Sequence, residues 1–352
     1  MITAFLLPVL YAIVGTSLET STVRPNDPRV RYIGRFDFQD PAGPRCAWPA
    51  STVEFCFRGV GLKAKIRDEG SDRFQIVVDG TPTQVIKLRK GDLDYDLATG
   101  LSNDKHTVEL VKRTEAFAGT TQFLDFEVDG TLERPQKPKH ILEVIGDSIS
   151  CGFGNEGKTK AEPFSIETEN AYLTYGAITA RAFNADFIDI AWSGRTMWPT
   201  NSIPEIYDLA LPADKSTKWN LKQEIPSAIV INLATNDFGK ANPDEKGWTE
   251  AYAAFIGRLR QRAPRAMVYC AIGPMMTDNW PPTTKALTTL RTYLTDVLNL
   301  RTAVGDTKIK VIEFETQNEE RDGIGSSWHP NTTTHRNMAN KLIETIHKDL
   351  GW

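Results

Sequence analysis

The sequence predicts a two-domain chain: an all-β N-terminal domain, a β-sandwich of jelly-roll type, followed by a doubly wound α/β domain with a five-stranded parallel sheet. Three observations predict it. Up to residue 132, short segments alternate apolar and polar side chains, the period of strands with one buried face. From residue 141 onward, nearly continuous apolar strands alternate with segments of helical period, the pattern of a parallel sheet buried on both faces. Between them ERPQKPKH (133–140) is rich in proline and charge and reads as a linker. A chain of 352 residues also exceeds one average domain. The expected divisions are 1–23, 24–132, 133–140 and 141–352.

The first of these is a signal region. ITAFLLPVLYAIV (2–14) is almost wholly apolar and is followed by Gly15, Thr16 and Ser17. It is too short for a comfortable membrane span and has the length of a signal-peptide apolar core. No Lys or Arg precedes it, and a buried element of the mature protein is the other reading. The expectation is cleavage before Arg24 and a secreted, extracellular protein.

In the β domain the main strands are LKAKIR (62–67), FQIVV (74–78), VIKL (85–88), HTVELV (106–111) and QFLDFEV (122–128). Asp79-Gly80 and Asp129-Gly130 are hairpin-type turn signals. Cys46 and Cys56 flank a strand-like run; a disulfide between them and two separate buried thiols are both open readings. Cys151 and Cys270 read as core packing. No cysteine pair has CxxC spacing and no histidine cluster lies nearby, so no metal site is expected.

In the α/β domain the five strands are ILEVIG (141–146), DFIDIA (186–191), AIVINLA (228–234), MVYCAI (267–272) and KVIEF (310–314). Helices are expected over 171–183, through Trp248, Tyr252, Phe255, Ile256 and Leu259, through Leu287, Leu290, Leu294, Val297 and Leu298, and through Met338, Leu342, Ile343 and Ile346. Active sites of such sheets lie at the C-terminal ends of the strands. Strand one ends in GDSIS (146–150), which sets Ser148 where a nucleophile belongs, although a Ser in such a turn also serves as a plain N-cap. Strand two runs into AWSGRT (191–196), where Gly194 leaves its backbone N–H accessible or simply makes a turn. Strand three ends in ATND (234–237), where Asn236 offers amide donors or caps the next helix. After strand five comes SSWHPNTTTH (326–335), and His329 is the one histidine at a strand-to-helix junction on that edge.

Taken in order, Ser148, Gly194, Asn236 and His329 resemble the four blocks of the SGNH (GDSL-like) hydrolase superfamily, over about 141–350. NDPRVRYIGRFDF (26–38), WPASTVEFCFRG (48–59) and FQIVVDG (74–80), ahead of GDSISCGFG and WHPN, make the chain similar to carbohydrate esterase family 2. The resemblance implies a serine esterase that removes O-acetyl groups from xylan and glucomannan. Ser148 is then the nucleophile and His329 the base, and the oxyanion hole is the Ser148 and Gly194 N–H groups with Asn236. It implies no cofactor.

Two positions depart from the superfamily pattern. Ser327 stands where an Asp usually orients the histidine, so a Ser–His dyad is expected, with Asp322 a distant substitute carboxylate. Ala234 stands where Gly is usual. Trp328 and Trp280 are expected near the substrate, whereas Asn331-Thr332-Thr333 is a formal glycosylation sequon beside His329.

A net charge of −4 with scattered basic residues gives no argument for a polyanionic partner and suits an uncharged sugar ester. Neither nucleic acid nor membrane is expected as a partner, and a monomer is expected. An SGNH lipase or thioesterase, or a carbohydrate-binding protein with a decayed hydrolase domain, are the rival readings.

Overall fold

A computed structural model describes residues 19–352. The apolar run at 2–14 lies outside the described residues.

The N-terminal part is built from β1 (Thr20–Val23), β2 (Arg31–Ile33), β3 (Arg45–Cys46), β4 (Thr52–Asp68), β5 (Arg73–Val78), β6 (Thr81–Lys87), β7 (Gly91–Ala98), β8 (Asp104–Lys112) and β9 (Thr121–Glu133). All pairings among them are antiparallel. The 17-residue β4 organises the domain, with β9 along one side. On its other side it pairs with β8 up to Gly59 and with β7 from Leu62. One strand therefore serves two halves of the sheet, whose inner faces close over Phe55, Phe57, Phe74, Phe123 and Phe126. The sequence pattern reveals only the second half of β4, because alternation breaks at the Gly59–Gly61 register shift.

The open disulfide reading is settled by register. Cys46 pairs with Thr121 and Cys56 with Glu133, at opposite ends of β9. At about 3.3 Å per residue the two thiols are far beyond the reach of an S–S bond. All four cysteines are free and buried.

The C-terminal part has β10 (Ile141–Gly146), β11 (Asp186–Ala191), β12 (Ala228–Asn232), β13 (Met267–Ile272) and β14 (Ile309–Glu313). They form a wholly parallel sheet in the order β11-β10-β12-β13-β14. Its helices are α1 (Ser148–Cys151), α2 (Tyr175–Ala182), α3 (Ile203–Ile206), α4 (Glu245–Arg262), α5 (Ala286–Ala303), α6 (Glu319–Asp322) and α7 (Thr332–Leu350). Tyr175 and Ile178 of α2 join Met338, Leu342 and Ile346 of α7 on one face. Trp248, Tyr252 and Ile256 of α4 join Leu290, Leu294 and Val297 of α5 on the other. The strand order reverses between β10 and β12, and that switch point opens the crevice where ligands of such sheets bind. The one charge in β10, Glu143, is fully buried but satisfied by Arg262 at 2.6 Å and the Tyr207 hydroxyl at 2.6 Å.

The two parts share core. Trp48 of the β domain belongs to the same buried cluster as Ile206, Leu209 and Ile231 of the α/β domain and donates its indole N–H to the Leu209 carbonyl at 3.3 Å. Ala50, Val77 and Val111 pack with Ala171 and Tyr172 in a second junction.

Candidate active site

Ser148 begins α1, one residue beyond the end of β10. Asp147, fully buried, caps that helix by accepting from the Ile149 N–H at 3.0 Å. Burial pushes its carboxyl up to about 7. Gly146 cannot be larger, since a Cβ there would overlap the Ser150 side chain. This tight turn presents the Ser148 hydroxyl at the crevice although the residue is only 8% exposed.

His329 arrives from the other side, after a short turn at Ser326–Trp328 that precedes α7. Its Nε2 lies 2.8 Å from Ser148 Oγ and its Nδ1 lies 2.9 Å from the Ser327 carbonyl oxygen. A carbonyl only accepts, so Nδ1 carries the proton and Nε2 is left as the acceptor facing the hydroxyl. Ser327 and Trp328 both adopt left-handed backbone, with φ of 50° and 66°, and this turns the Ser327 carbonyl back toward the ring. Ser327 is held in place by its N–H on the Glu162 carbonyl at 2.9 Å and by the Phe164 N–H on its Oγ at 3.1 Å. Burial lowers the His329 pKa below its ordinary value, against the raising effect of the carbonyl bond. Asp322, the distant carboxylate of the sequence reading, is instead engaged by Arg321 at 2.6 Å.

Gly194 lies on the loop after β11, at the third position of a turn closed by the Arg195 N–H on the Trp192 carbonyl at 3.3 Å. Its φ of 76° is the conformation such a turn needs from glycine. Asn236, after β12, donates from Nδ2 to the Arg195 carbonyl at 2.9 Å and reaches Asp147 Oδ2 at 3.5 Å. It therefore ties the Gly194 loop to the Ser148 turn. Asp237 reinforces this by accepting from the Met197 and Trp198 N–H groups at 3.0 Å each. Ala234 adopts φ 128°, a conformation that glycine takes without strain and alanine does not. All four residues singled out in the sequence thus converge on one crevice.

Two family models match the chain. One, described as carbohydrate esterase 2 N-terminal, covers residues 32–138. The other, the GDSL-like lipase/acylhydrolase family, covers residues 144–336. A solved family two carbohydrate esterase from Clostridium thermocellum, in complex with cellohexaose, is 38% identical with a TM-score of 0.86. That match covers 92% of this chain and 99% of that one. The chain belongs to carbohydrate esterase family 2.

Two curated relatives agree. The cellulase/esterase CelE of Acetivibrio thermocellus is 38% identical over 95% of this chain, which spans 41% of that protein's length. An acetylxylan esterase / glucomannan deacetylase of Cellvibrio japonicus is 24% identical over 95% of this chain and 92% of its own. As a family 2 esterase this protein is a carboxylic ester hydrolase with a GDSL-like catalytic domain.

Around the Ser148–His329 pair of this family 2 esterase stands a wall of rings. Phe153 packs on His329 with centroids 4.5 Å apart and stacks on Phe164 at 3.8 Å. Phe117 of the β domain meets Phe164 edge-on at 5.7 Å. Trp328 adjoins His329, is 56% exposed and carries the Lys160 ammonium over its ring at 4.4 Å. Trp280 is 66% exposed on the loop after β13, and no described aromatic ring packs on it. Asn331 is taken up structurally: Oδ1 caps α7 through the Thr334 N–H at 3.0 Å and Nδ2 donates to the Asp322 carbonyl at 2.6 Å. Sequence reasoning misses Asp147, Asp237, Phe153 and Phe164. The two aspartates carry a signal, a carboxylate directly beside Ser148 and beside Asn236.

Proposed function

We propose that this protein is a secreted serine esterase that removes O-acetyl groups from plant cell-wall polysaccharides, xylan and glucomannan, through an acetyl-enzyme on Ser148. The observation that carries the reading is the relay Ser148 Oγ–His329 Nε2 at 2.8 Å with His329 Nδ1 on the Ser327 carbonyl at 2.9 Å.

Neutral His329 accepts the Ser148 proton at Nε2 while Oγ attacks the acetyl carbonyl carbon. The developing oxyanion accepts from the Ser148 N–H, the Gly194 N–H and Asn236 Nδ2. Of the two Asn236 contacts, the 3.5 Å one to Asp147 is the weaker and is the one that yields to the oxyanion. The imidazolium keeps its Nδ1 bond and passes the Nε2 proton to the departing sugar oxygen. Water gives a proton to Nε2 as it attacks the acetyl carbonyl carbon; the bond to Ser148 Oγ then breaks, Oγ takes that proton back from Nε2, and acetate leaves. In a Ser-His-Asp triad the carboxylate sets the tautomer and stabilises the imidazolium. Here a backbone carbonyl does the first without a full charge for the second. The dyad is therefore complete without an Asp at position 327.

Two relatives support the substrate class: one is an acetylxylan esterase / glucomannan deacetylase and one is solved with cellohexaose. Trp328 and Trp280, both exposed, are proposed as sugar-stacking side chains. Export rests on the 2–14 run, and no described helix is long and apolar enough to cross a membrane. Acetate release from acetylated xylan, acetylated glucomannan and p-nitrophenyl acetate tests the reading. Wild type is expected to release acetate and Ser148→Ala and His329→Ala to release none above background. Release that survives in folded Ser148→Ala would overturn it.

A further inference from the structure

Gly194 is exposed in an otherwise half-buried turn, and glycine's wide φ/ψ freedom gives it no intrinsic reason to hold one peptide orientation. A Cβ placed at Gly194 would meet no atom within 4 Å, so packing does not hold it either. Its orientation comes from polar ties. On the C-terminal side, Asn201 Nδ2 donates to the Gly194 carbonyl at 3.1 Å. On the N-terminal side the tie comes from the other domain. Glu115 Oε2 accepts from the Ser193 N–H at 2.7 Å, and Glu115 Oε1 accepts from the Ser193 hydroxyl. The peptide plane that carries the Gly194 N–H lies between these anchors.

Glu115 is itself built to stay still. It is wholly buried, in the segment that follows β8. Its N–H donates to Glu169 Oε2 at 3.2 Å, and its carbonyl accepts from Lys112 Nζ at 3.3 Å. Burial raises both the Glu169 and the Glu115 carboxyls, and at Glu115 the two Ser193 hydrogen bonds work against that rise. Glu115 sets both of its side-chain oxygens against the two Ser193 donors. Burying a carboxyl costs free energy unless it is well bonded, and Glu115 commits both of its side-chain oxygens to this loop.

We infer that Glu115 of the β domain is a positioning residue for the oxyanion hole, holding the Ser193–Gly194 peptide so that the Gly194 N–H faces the reacting acetyl group. The inference rests on the reading of Gly194 as an oxyanion donor. It makes the β domain a part of the catalytic apparatus.

The test compares wild type, Glu115→Ala, Glu115→Gln and Ser193→Ala for kcat and KM on p-nitrophenyl acetate. It adds inhibition by methylboronic acid, which forms a tetrahedral adduct on the nucleophile. Losing one oxyanion donor costs about 10²–10³ in turnover, and a misplaced donor loses part of that. Glu115→Ala is expected to lower kcat about 10–100-fold, with KM within about threefold, and to weaken boronate inhibition in parallel. Glu115→Gln keeps an acceptor for the Ser193 N–H and is expected to recover much of the rate. Ser193→Ala keeps the backbone bond to Glu115 and both carboxyls, removes only the hydroxyl donor to Glu115 Oε1, and is expected to lose about 3–10-fold.

A purely structural role would lower the melting temperature while leaving kcat and boronate affinity at wild-type values in the folded variants. That result in Ser193→Ala and in Glu115→Ala would overturn the inference. Ser148→Ala run alongside separates the two failures. An active Ser148→Ala would sink the esterase reading itself. An inactive Ser148→Ala beside unaffected Ser193 and Glu115 variants would sink only the positioning role.

Discussion

Lys112→Met should be among the most damaging single substitutions outside the site. Lys112 and Asp72 are both 0% exposed and lie 2.6 Å apart. The ammonium also donates to the Thr114 carbonyl at 2.8 Å and the Glu115 carbonyl at 3.3 Å. Removing it leaves those two carbonyls without that donor, and leaves Asp72 with only the Thr114 and Thr121 hydroxyls, at 2.7 and 2.9 Å. Breaking a buried pair from one side costs about 3–5 kcal/mol, a large share of the about 5–15 kcal/mol a domain has. At about 2–4 °C per kcal/mol, melting should fall by roughly 6 °C or more. Replacing both partners, as Lys112→Met with Asp72→Asn, should cost less than the sum of the single losses by at least about 1 kcal/mol. Thermal and urea unfolding of wild type, both single variants and the double variant measure this. A Lys112→Met melt within about 2 °C of wild type, or strictly additive costs, would refute the reasoning.

Three further outcomes are expected. Burial holds the His329 pKa below the ordinary histidine value of about 6.5, so kcat/KM should keep its plateau to below that pH; an acidic midpoint at or above it would contradict the site's electrostatics. Burial holds the Asp68, Glu109, Asp147 and Glu224 carboxyls up at about 7. The folded chain thus binds more protons than the unfolded one between about 4 and 7, and stability falls as pH rises through that window. His335, pushed by burial down to about 3, with His329 and His140, both lowered, act in the opposite sense below about 6.5, but the four carboxyls together with His106, raised by its bond to Asp79, outweigh these three histidines. The melting temperature should therefore fall from about pH 5 to 7 and level off above about 7.5, and a rise over that span would count against it. Trp48→Ala should cost about 3–5 kcal/mol and leave a single unfolding transition, because this β-domain side chain fills the α/β core; two separated transitions in calorimetry would show that the junctions do not couple the domains.

Much of this molecule is legible in its amino-acid sequence. The five parallel strands are readable because each is buried on both faces and so nearly all apolar, as in Val144 and Ile145 of β10 or Val230 and Ile231 of β12. The long helices α4, α5 and α7 are readable from one buried stripe each, such as Met338, Leu342 and Ile346. Ser148, Gly194, Asn236 and His329 stand out because strand ends of a parallel sheet are where such residues can meet. The first half of β4 is harder to read, since Val53, Phe55, Cys56 and Phe57 are all buried and the alternation disappears. The ring wall of Phe153, Phe164 and Phe117 leaves no trace, because each is also an ordinary apolar residue.

The sequence by itself determined the elements and the chemical types at their ends, because periodicity and turn chemistry are local properties of the chain. The tertiary structure decided what those groups face. Ser148 meets His329 across 181 residues and Glu115 meets Ser193 across 78. Which atom steadies His329 was decided by two left-handed residues whose conformation is imposed by contacts with the 162–164 segment. A hydrogen bond a few ångströms long depends on where whole domains pack, and that is set by the shared cores around Trp48 and Tyr172 rather than by any local pattern.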